Sequence, residues 1–313
     1  MVDTLVVQSA RAMAMGCGML AAACVCLGQT GGSVVGASGW AGAVTRAARL
    51  APGARIVVLD VESGKLLAAA HLAEAARTLA APGSTLKPLA LYGLVAAGRW
   101  DPARRVACNR RLRVGGRSLA CSHPAADPMN AEQALAWSCN SYFAAVAAAL
   151  APGELRRLVA PTGLLGQTGL AGGEAVAEFH EPRDADAEAL TLLGVDGVRV
   201  TPLELAAAYR WLALQLAAHP GSAGAQVVQA GLDDSARFGI AASAGLGGVP
   251  VAGKTGTANL GAGTPSHGWF AGLVPAEDPR VVVVVYLPAG HGANAASVAA
   301  ELIAHAPLGK AAR

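Results

Sequence analysis

The chain has 313 residues and a formal net charge of +3; 53% of its residues are hydrophobic and 14% are charged. This length and composition allow a compact core in one or two domains and exclude a disordered or collagen-like chain. Because only 4% of the residues are aromatic and no long basic run is present, nucleic-acid binding is not expected.

The N-terminal region contains an uncharged apolar stretch from Ala12 to Gly28. Its length suits the core of an export signal or a short membrane anchor, which we predict for residues 1–28; a buried core helix is the alternative. Residues 29–49 begin with a run rich in glycine and serine, which predicts a flexible linker. One domain is then predicted over residues 50–313.

The predicted elements alternate between hairpins and helices along this domain. Residues 54–71 have the pattern of two strands joined by a glycine turn, and residues 108–121 predict a second hairpin. A helix is predicted from Ser84 to Ala97. Two later helices carry capping boxes of the forms N-x-x-Q and T-x-x-E, beginning at Asn130 and at residue 201.

The C-terminal third predicts three consecutive strands, within residues 248–259, 267–276 and 280–289, and a final helix over 294–306. Strands at both ends with helices between them predict an α+β fold, an α/β sandwich. Its central antiparallel five-stranded sheet is formed by both ends of the domain, with an inserted helical lobe.

The cysteines leave two possibilities open. Cys108 and Cys121 bracket the second hairpin, and they are expected to be bridged in an exported protein and free in a cytosolic one. Cys139 is interpreted as a small apolar residue. No C-x-x-C pattern is present, and the histidines, His123 among them, have no metal-like spacing, so neither a metal nor a cofactor is predicted.

The first candidate for chemistry is the stretch PGSTLK. Only four residues of the chain are lysines, and Lys87 lies three positions after Ser84. If Ser84 begins a helix, the two residues share one face, so the amine can reach the hydroxyl. A lysine acts as a base when burial or a second cation lowers its pKa, whereas an arginine stays protonated. The alternative is an ordinary helix start with a solvated lysine.

The second candidate is the stretch WSCNSYF, which contains Ser138 and Asn140. Positions two apart point to nearly opposite sides of a continuous helix. Both residues can serve one site only if the helix that begins near Asn130 breaks around Ser138. The hydroxyl would then relay a proton, and the amide would orient a substrate carbonyl or the lysine. A polar pair on a helix surface is the alternative.

The third candidate is the stretch AGKTGTAN, which places Lys254 in a predicted strand of small residues. Gly256 has no side chain, which lets a substrate backbone lie close to the strand. Thr255, Thr257 and Lys254 offer hydroxyls and a charge for a substrate carboxylate. The N–H groups of Thr257 and Ser84 are candidate oxyanion donors. The alternative is an exposed edge strand protected by a charged residue.

In this order, the motifs S-x-x-K, S-x-N and K-T-G resemble those of the transpeptidase domain of penicillin-binding proteins. The resemblance covers about residues 50 to 306 and extends to the stretches PGSTLKPL, EQALAWSCNSYF, VRVTPLELAAAY, VAGKTGTAN and HGWFAGLVPAEDPRVVVVVYL. It implies a β-lactamase/transpeptidase-like fold and a serine acyltransferase.

The resemblance also implies a reaction. Ser84 would attack the D-Ala-D-Ala bond of a peptidoglycan stem peptide with Lys87 as base, and Ser138 and Lys254 would relay the proton to the departing D-Ala. The acyl group would pass to an amine of a second stem peptide or to water, and β-lactams would acylate the same serine. An extracytoplasmic location is implied, with membrane association possible through the N-terminus. The resemblance also implies a cell-wall synthesis partner such as a glycosyltransferase.

Several alternatives share this fold: a D,D-carboxypeptidase, a β-lactamase, and a non-catalytic β-lactam sensor or scaffold. Between Asn140 and Lys254 the chain has no E-x-x-L-N element resembling the deacylating glutamate of class A β-lactamases, which disfavours efficient hydrolysis. A sensor would keep all three motifs and would be expected to carry signalling domains or several membrane spans, which the sequence does not show. The D,D-transpeptidase is therefore the leading prediction.

Overall fold

The computed structural model describes residues 33–124, 127–245, 247–259 and 264–308. The apolar stretch predicted as an export signal or anchor lies outside these residues. Within the described ranges, no helix has both the length and the apolar character needed to cross a membrane.

The strands form one large sheet and two small ones. A six-stranded antiparallel sheet runs in the order β1-β3-β2-β10-β9-β8, and β4 pairs with β5 and β6 with β7. The strands are β1 (Val34–Gly36), β2 (Arg55–Asp60), β3 (Leu66–Ala70), β4 (Arg111–Val114), β5 (Arg117–Ala120), β6 (Glu178–Phe179), β7 (Val198–Arg199), β8 (Ala252–Asn259), β9 (Ser266–Val274) and β10 (Val281–Leu287).

Helices cover both faces of the large sheet. The helices are α1 (Ser38–Leu50), α2 (Leu72–Ala75), α3 (Lys87–Ala96), α4 (Ala131–Ala136), α5 (Asn140–Ala147), α6 (Glu154–Val159), α7 (Ala185–Leu192), α8 (Pro202–Ala218), α9 (Ala223–Arg237), α10 (Ala242–Gly245) and α11 (Gly292–Ala304). Short 3₁₀ turns occur at Gly83–Leu86 and Ala160–Thr162.

The valine run of β10 shows why the sheet lies in the middle of the fold. Val283 belongs to the core formed with α1 and α11, whereas Val282 and Val284 belong to the core formed with α3, α8 and the inserted lobe. A strand without polar alternation is expected to be covered on both faces, and β10 is completely buried. The predicted α+β architecture is therefore confirmed.

Local sequence signals fix the ends of the helices that border the site. Asn130 Oδ1 accepts from Gln133 N at 3.0 Å, and Gln133 Oε1 accepts from Asn130 N at 3.2 Å, which is the predicted capping box of α4. The same reciprocal pair, between Thr201 and Glu204, begins α8.

The region predicted as a linker contains two elements of the domain. β1 adds a sixth strand next to β3, and α1 buries Ala43, Val44 and Ala47 in the core shared with α11. These three apolar positions lie on one helix face, a spacing that the glycine-rich run before them obscures in the sequence. The sheet therefore has six strands instead of five, and residues 34–49 are folded instead of flexible.

Candidate active site

Ser84 lies on the 3₁₀ turn that precedes α3, and it lines a cavity of about 280 Å³. The helix predicted from Ser84 thus begins with a tighter turn than an α-helix. Residues three apart are eclipsed in a 3₁₀ turn, a geometry that suits Ser84 and Lys87 lying on the same side of it. Ser84 is half-buried, which leaves its hydroxyl accessible from the cavity.

Three buried side chains anchor the backbone on either side of Ser84. The Ala81 carbonyl oxygen accepts hydrogen bonds from His267 Nε2 at 2.9 Å and Trp269 Nε1 at 2.8 Å. The Tyr209 hydroxyl donates to the Thr85 carbonyl at 3.0 Å. None of these three was a sequence candidate, although His267 and Trp269 are the only residues with polar side-chain atoms between Ser266 and the end of the otherwise apolar β9.

The turn and strand β8 approach each other backbone to backbone. Gly83 has φ +55°, and a Cβ atom there would lie 2.8 Å from the Thr257 nitrogen. A Cβ atom at Gly256 would overlap the Pro82 carbonyl oxygen. From the sequence, the missing side chain of Gly256 is expected to make room for a substrate, whereas in the structure that space is taken by the turn that carries Ser84.

Lys87 is completely buried and bonded to the second motif. Its Nζ donates to Asn140 Oδ1 at 2.8 Å, to the Ser138 carbonyl at 3.0 Å and to Ser138 Oγ at 3.3 Å. The Phe143 ring centroid lies 5.0 Å from the same nitrogen. Burial lowers the pKa of Lys87 to about 8, against the raising effect of the Cys139 and Cys121 thiols. The amine is therefore close to the protonation balance that a base at neutral pH requires.

The predicted break in the helix at Ser138 is present. α4 ends at Ala136 and α5 begins at Asn140, and Ser138 between them has φ 57°. This left-handed residue turns the chain so that both Ser138 and Asn140 face Lys87, which a continuous helix would not allow. Asn140 Nδ2 donates to the Ala120 carbonyl at 3.1 Å, which fixes its Oδ1 toward the lysine.

Lys254 is the second buried lysine of the site. Its Nζ donates to the Thr255 carbonyl at 3.1 Å. Burial, and next the positive charge of Lys87, hold the pKa of Lys254 well below its usual value. The positive charge of Lys87 therefore adds to burial in disfavouring protonation of Lys254.

The other candidates lie on the edge of the large sheet. Among the described strands β8 is the last of the sheet and pairs with β9 alone, and Thr255 and Thr257 line the cavity. Thr257 Oγ1 accepts from the Gly292 N–H at 2.9 Å, which joins β8 to the start of α11. Ser118 and Ala120 of β5 line the opposite wall. Five of the eight site residues predicted from the sequence line this cavity: Ser84, Ser138, Asn140, Thr255 and Thr257. The other three, Lys87, Lys254 and Gly256, are buried, and each contacts or adjoins a lining residue.

A half-buried serine, a buried lysine within one turn of it and a cavity beside them are the components that a serine acyltransferase requires. Residues 54–307 match the family model described as penicillin binding protein transpeptidase domain, and the chain belongs to this family.

Solved structures agree on the fold. The TP domain of penicillin-binding protein 3 from Burkholderia pseudomallei superposes with a TM-score of 0.74 and 22% identity, over 85% of this chain and 92% of that one. Pseudomonas aeruginosa PBP2, solved in complex with WCK 5153, superposes with a TM-score of 0.72 and 21% identity, over 90% of this chain and 76% of that one. Helicobacter pylori PBP2, solved in complex with MreC, superposes with a TM-score of 0.71 and 18% identity, over 83% of this chain and 61% of that one. At these identities the likeness shows the fold alone.

A group of side chains with potential metal-ligating atoms lies beside the site. The donor atoms of Cys108, Cys121, His123 and Cys139 all lie within 4.8 Å of one another. The three cysteines are free thiols, so the possible bridge between Cys108 and Cys121 is not formed in this structure. No motif spacing in the sequence indicates this group, because its members come from a hairpin and a helix break that only the fold brings together.

Proposed function

We propose that this protein is a peptidoglycan D,D-transpeptidase that forms an acyl-enzyme at Ser84. The observation that carries the proposal is the environment of Lys87, a buried amine with a pKa of about 8 that is bonded to Ser138 and Asn140 and lies one 3₁₀ turn from Ser84. A structural lysine has no need of such surroundings, whereas a base that activates a hydroxyl does.

In the first step Ser84 Oγ attacks the carbonyl carbon between the two D-Ala residues of a stem peptide. Its proton passes to the neutral amine of Lys87. The oxyanion accepts hydrogen bonds from the N–H groups of Ser84 and Thr257. These groups belong to the turn and to strand β8, which approach each other closely because Gly83 and Gly256 have no side chains. The Thr85 N–H bonds to the Pro82 carbonyl within the turn, and the neighbouring Ser84 N–H is assigned to the oxyanion.

The proton then leaves with the product. Ser138 Oγ, 3.3 Å from Lys87 Nζ, passes it to the nitrogen of the departing D-Ala. Lys254 contributes its charge and a share in the proton relay, and Thr255 and Thr257 bind the substrate carboxylate. In the second step an amine of another stem peptide attacks acyl-Ser84. The unpaired edge of β8 offers backbone groups to a substrate that binds as an added strand.

The cellular setting follows from the substrate. Peptidoglycan stem peptides are extracytoplasmic, so we propose an exported protein with membrane association through its N-terminus. The Helicobacter pylori relative was solved in complex with MreC, and another matching structure is part of a peptidoglycan synthase complex. We propose a partner of the same kind, a glycosyltransferase or another cell-wall synthesis protein, for this chain.

A fluorescent penicillin tests the nucleophile. Wild-type protein should become covalently labelled, and Ser84→Ala should not. Ser297→Ala, which removes an exposed serine of α11, is the matched control and should label like the wild type. Labelling that survives in Ser84→Ala would overturn the assignment of the nucleophile, and unlabelled wild type would favour a non-catalytic member of the family.

A D-Ala-D-Ala peptide then separates the enzymatic alternatives. Release of D-Ala with transfer of the acyl group to an added amine supports the transpeptidase. Release of D-Ala to water alone, at the same rate with and without the amine, identifies a D,D-carboxypeptidase. Rapid turnover of the penicillin in place of a stable label identifies a β-lactamase.

A further inference from the structure

The group of Cys108, Cys121, His123 and Cys139 has the donor set of a metal site. A zinc ion prefers four such ligands in a tetrahedron, with Zn–S distances of about 2.3 Å and Zn–N distances of about 2.0 Å, which separates the donors by roughly 3.5–3.8 Å. Cys108 Sγ lies 3.4 Å from His123 Nε2, and all four donor atoms lie within 4.8 Å of one another. Small side-chain rotations therefore suffice to close the tetrahedron.

The surroundings of the four donors already suit a bound metal. His123 Nδ1 lies 2.7 Å from the Pro124 carbonyl oxygen, to which it must donate, so the lone pair of Nε2 faces the sulfur atoms. The Asn140 N–H donates to Cys121 Sγ at 3.3 Å, and the Arg110 N–H donates to Cys108 Sγ at 3.4 Å. Metal sites use such contacts to orient an imidazole and to stabilise thiolates.

We propose that Cys108, Cys121, His123 and Cys139 bind one structural zinc ion. Three thiolates and an imidazole select zinc over magnesium or calcium, which prefer oxygen ligands. On binding, each thiol loses its proton to solvent and its sulfur donates an electron pair to the metal, so no oxidation is involved. Four protein ligands leave no open position, which makes the ion structural and keeps it out of the acyl-transfer step.

The zinc site acts on the active site through the chain. Cys108 precedes the β4–β5 hairpin, Cys121 and His123 follow it, and Cys139 lies between Ser138 and Asn140. A metal bound to all four ties the hairpin to the break between α4 and α5. It therefore holds in place the two residues that contact Lys87, which makes the ligands positioning residues.

Metal analysis tests the proposal directly on the full chain. In a background with Cys17, Cys24 and Cys26 changed to serine, the group holds all the remaining cysteines of the chain. Protein purified under reducing conditions and dialysed against zinc should contain one zinc per chain, released when a mercurial reagent blocks the thiols. Cobalt should replace it and give the intense visible bands of a tetrahedral thiolate site.

Matched variants locate the ion. His123→Ala should lose most of the zinc, and His123→Cys, which restores a fourth ligand, should regain it. His305→Ala removes a partly exposed histidine at the end of α11 and should keep full occupancy. Wild type without zinc after this treatment, or with a disulfide between two of these cysteines, would overturn the proposal, as would full occupancy in His123→Ala.

The zinc content does not depend on the proposed function, and only its consequence for acylation does. Ser84→Ala should bind zinc like the wild type and take no penicillin label. Removing the metal with a chelator from wild type should lower the thermal midpoint and slow acylation, and adding zinc back should restore both. A stripped protein that acylates at the full rate would remove the positioning role while leaving the metal site intact.

Discussion

The two walls of the catalytic cavity are held by different means. On the sheet side, the turn of Ser84 meets β8 where Gly83 and Gly256 leave no room for a side chain. On the lobe side, Ser138 and Asn140 are held by hydrogen bonds that converge on Lys87. The sheet wall therefore depends on close backbone packing at two glycines, and the lobe wall depends on a set of polar contacts. A single methyl group disrupts the first, and the loss of one charge disrupts the second.

The two lysines show the same contrast. Lys87 donates to three oxygen atoms of the lobe, whereas Lys254 donates to the carbonyl of its own neighbour on β8. Both are completely buried, and burial lowers both pKa values. The contacts of Lys87 suit an amine that takes up and gives back a proton.

The largest effect is expected at the lobe wall. Lys87→Met should slow acylation by penicillin about 10²–10⁴-fold, the usual contribution of a general base. Lys87→Arg should lose as much, because it keeps the charge and cannot give up the proton. Stopped-flow or gel-based labelling measures the rate. A variant Lys87→Arg that keeps wild-type rates would show that only the positive charge matters.

The next effect is expected at the sheet wall. In Gly256→Ala the new Cβ overlaps the Pro82 carbonyl oxygen, so the turn must move and Ser84 with it. Acylation should fall about 10²-fold, as for other small displacements of reacting groups. Gly42→Ala is the matched control, because a Cβ there meets nothing within 4 Å. Equal rates in Gly256→Ala and Gly42→Ala would contradict the close approach.

The pH dependence of acylation sharpens the role of Lys87. The reactive form is the neutral amine, and its pKa is about 8, so the rate should fall about tenfold per pH unit below this value and level off above it. The residual acylation rate of Lys87→Met should not show this fall below pH 8. A wild-type rate that stays constant between pH 6 and about 8 would contradict a base with this pKa.

The smallest effect is expected at Thr257, where the sheet wall uses a side chain. Thr257→Val removes the acceptor of the Gly292 N–H and the hydroxyl offered to the substrate. The loss of one ordinary hydrogen bond, about 1 kcal/mol, should lower the free energy of unfolding and slow acylation about fivefold. Thr257→Ser keeps the hydroxyl and should behave like wild type in chemical denaturation and labelling.

Much of the fold was predictable because its signals are local. The capping boxes at Asn130 and Thr201, the turn of the first hairpin and the apolar run of β10 each reside in a few consecutive residues. β1 was not predictable in the same way, since a three-residue strand gains its stability only from pairing with β3. The strand and α1 were hidden by the glycine-rich run that precedes them.

The residues of the site likewise differ in whether a local sequence pattern predicts them. Ser84, Lys87, Ser138 and Lys254 are predicted from the sequence because the order of three motifs carries the signal. His267 and Trp269 act on Ala81 across 186 and 188 positions of the chain, and no local pattern reports such a contact. The group of Cys108, Cys121, His123 and Cys139 proposed to bind zinc depends likewise on how the β4–β5 hairpin folds against the helix break, which spacing alone does not reveal.

The left-handed backbone of Ser138 has a consequence for how this protein can change. A residue with a Cβ costs about 1–2 kcal/mol in that conformation, and glycine adopts it freely. A glycine at this position would thus relieve strain and remove the hydroxyl beside Lys87 in the same step. Selection for stability alone would favour that exchange, and selection for acyl transfer would oppose it. Under the proposed mechanism, the proton relay through the Ser138 hydroxyl offsets this stability cost.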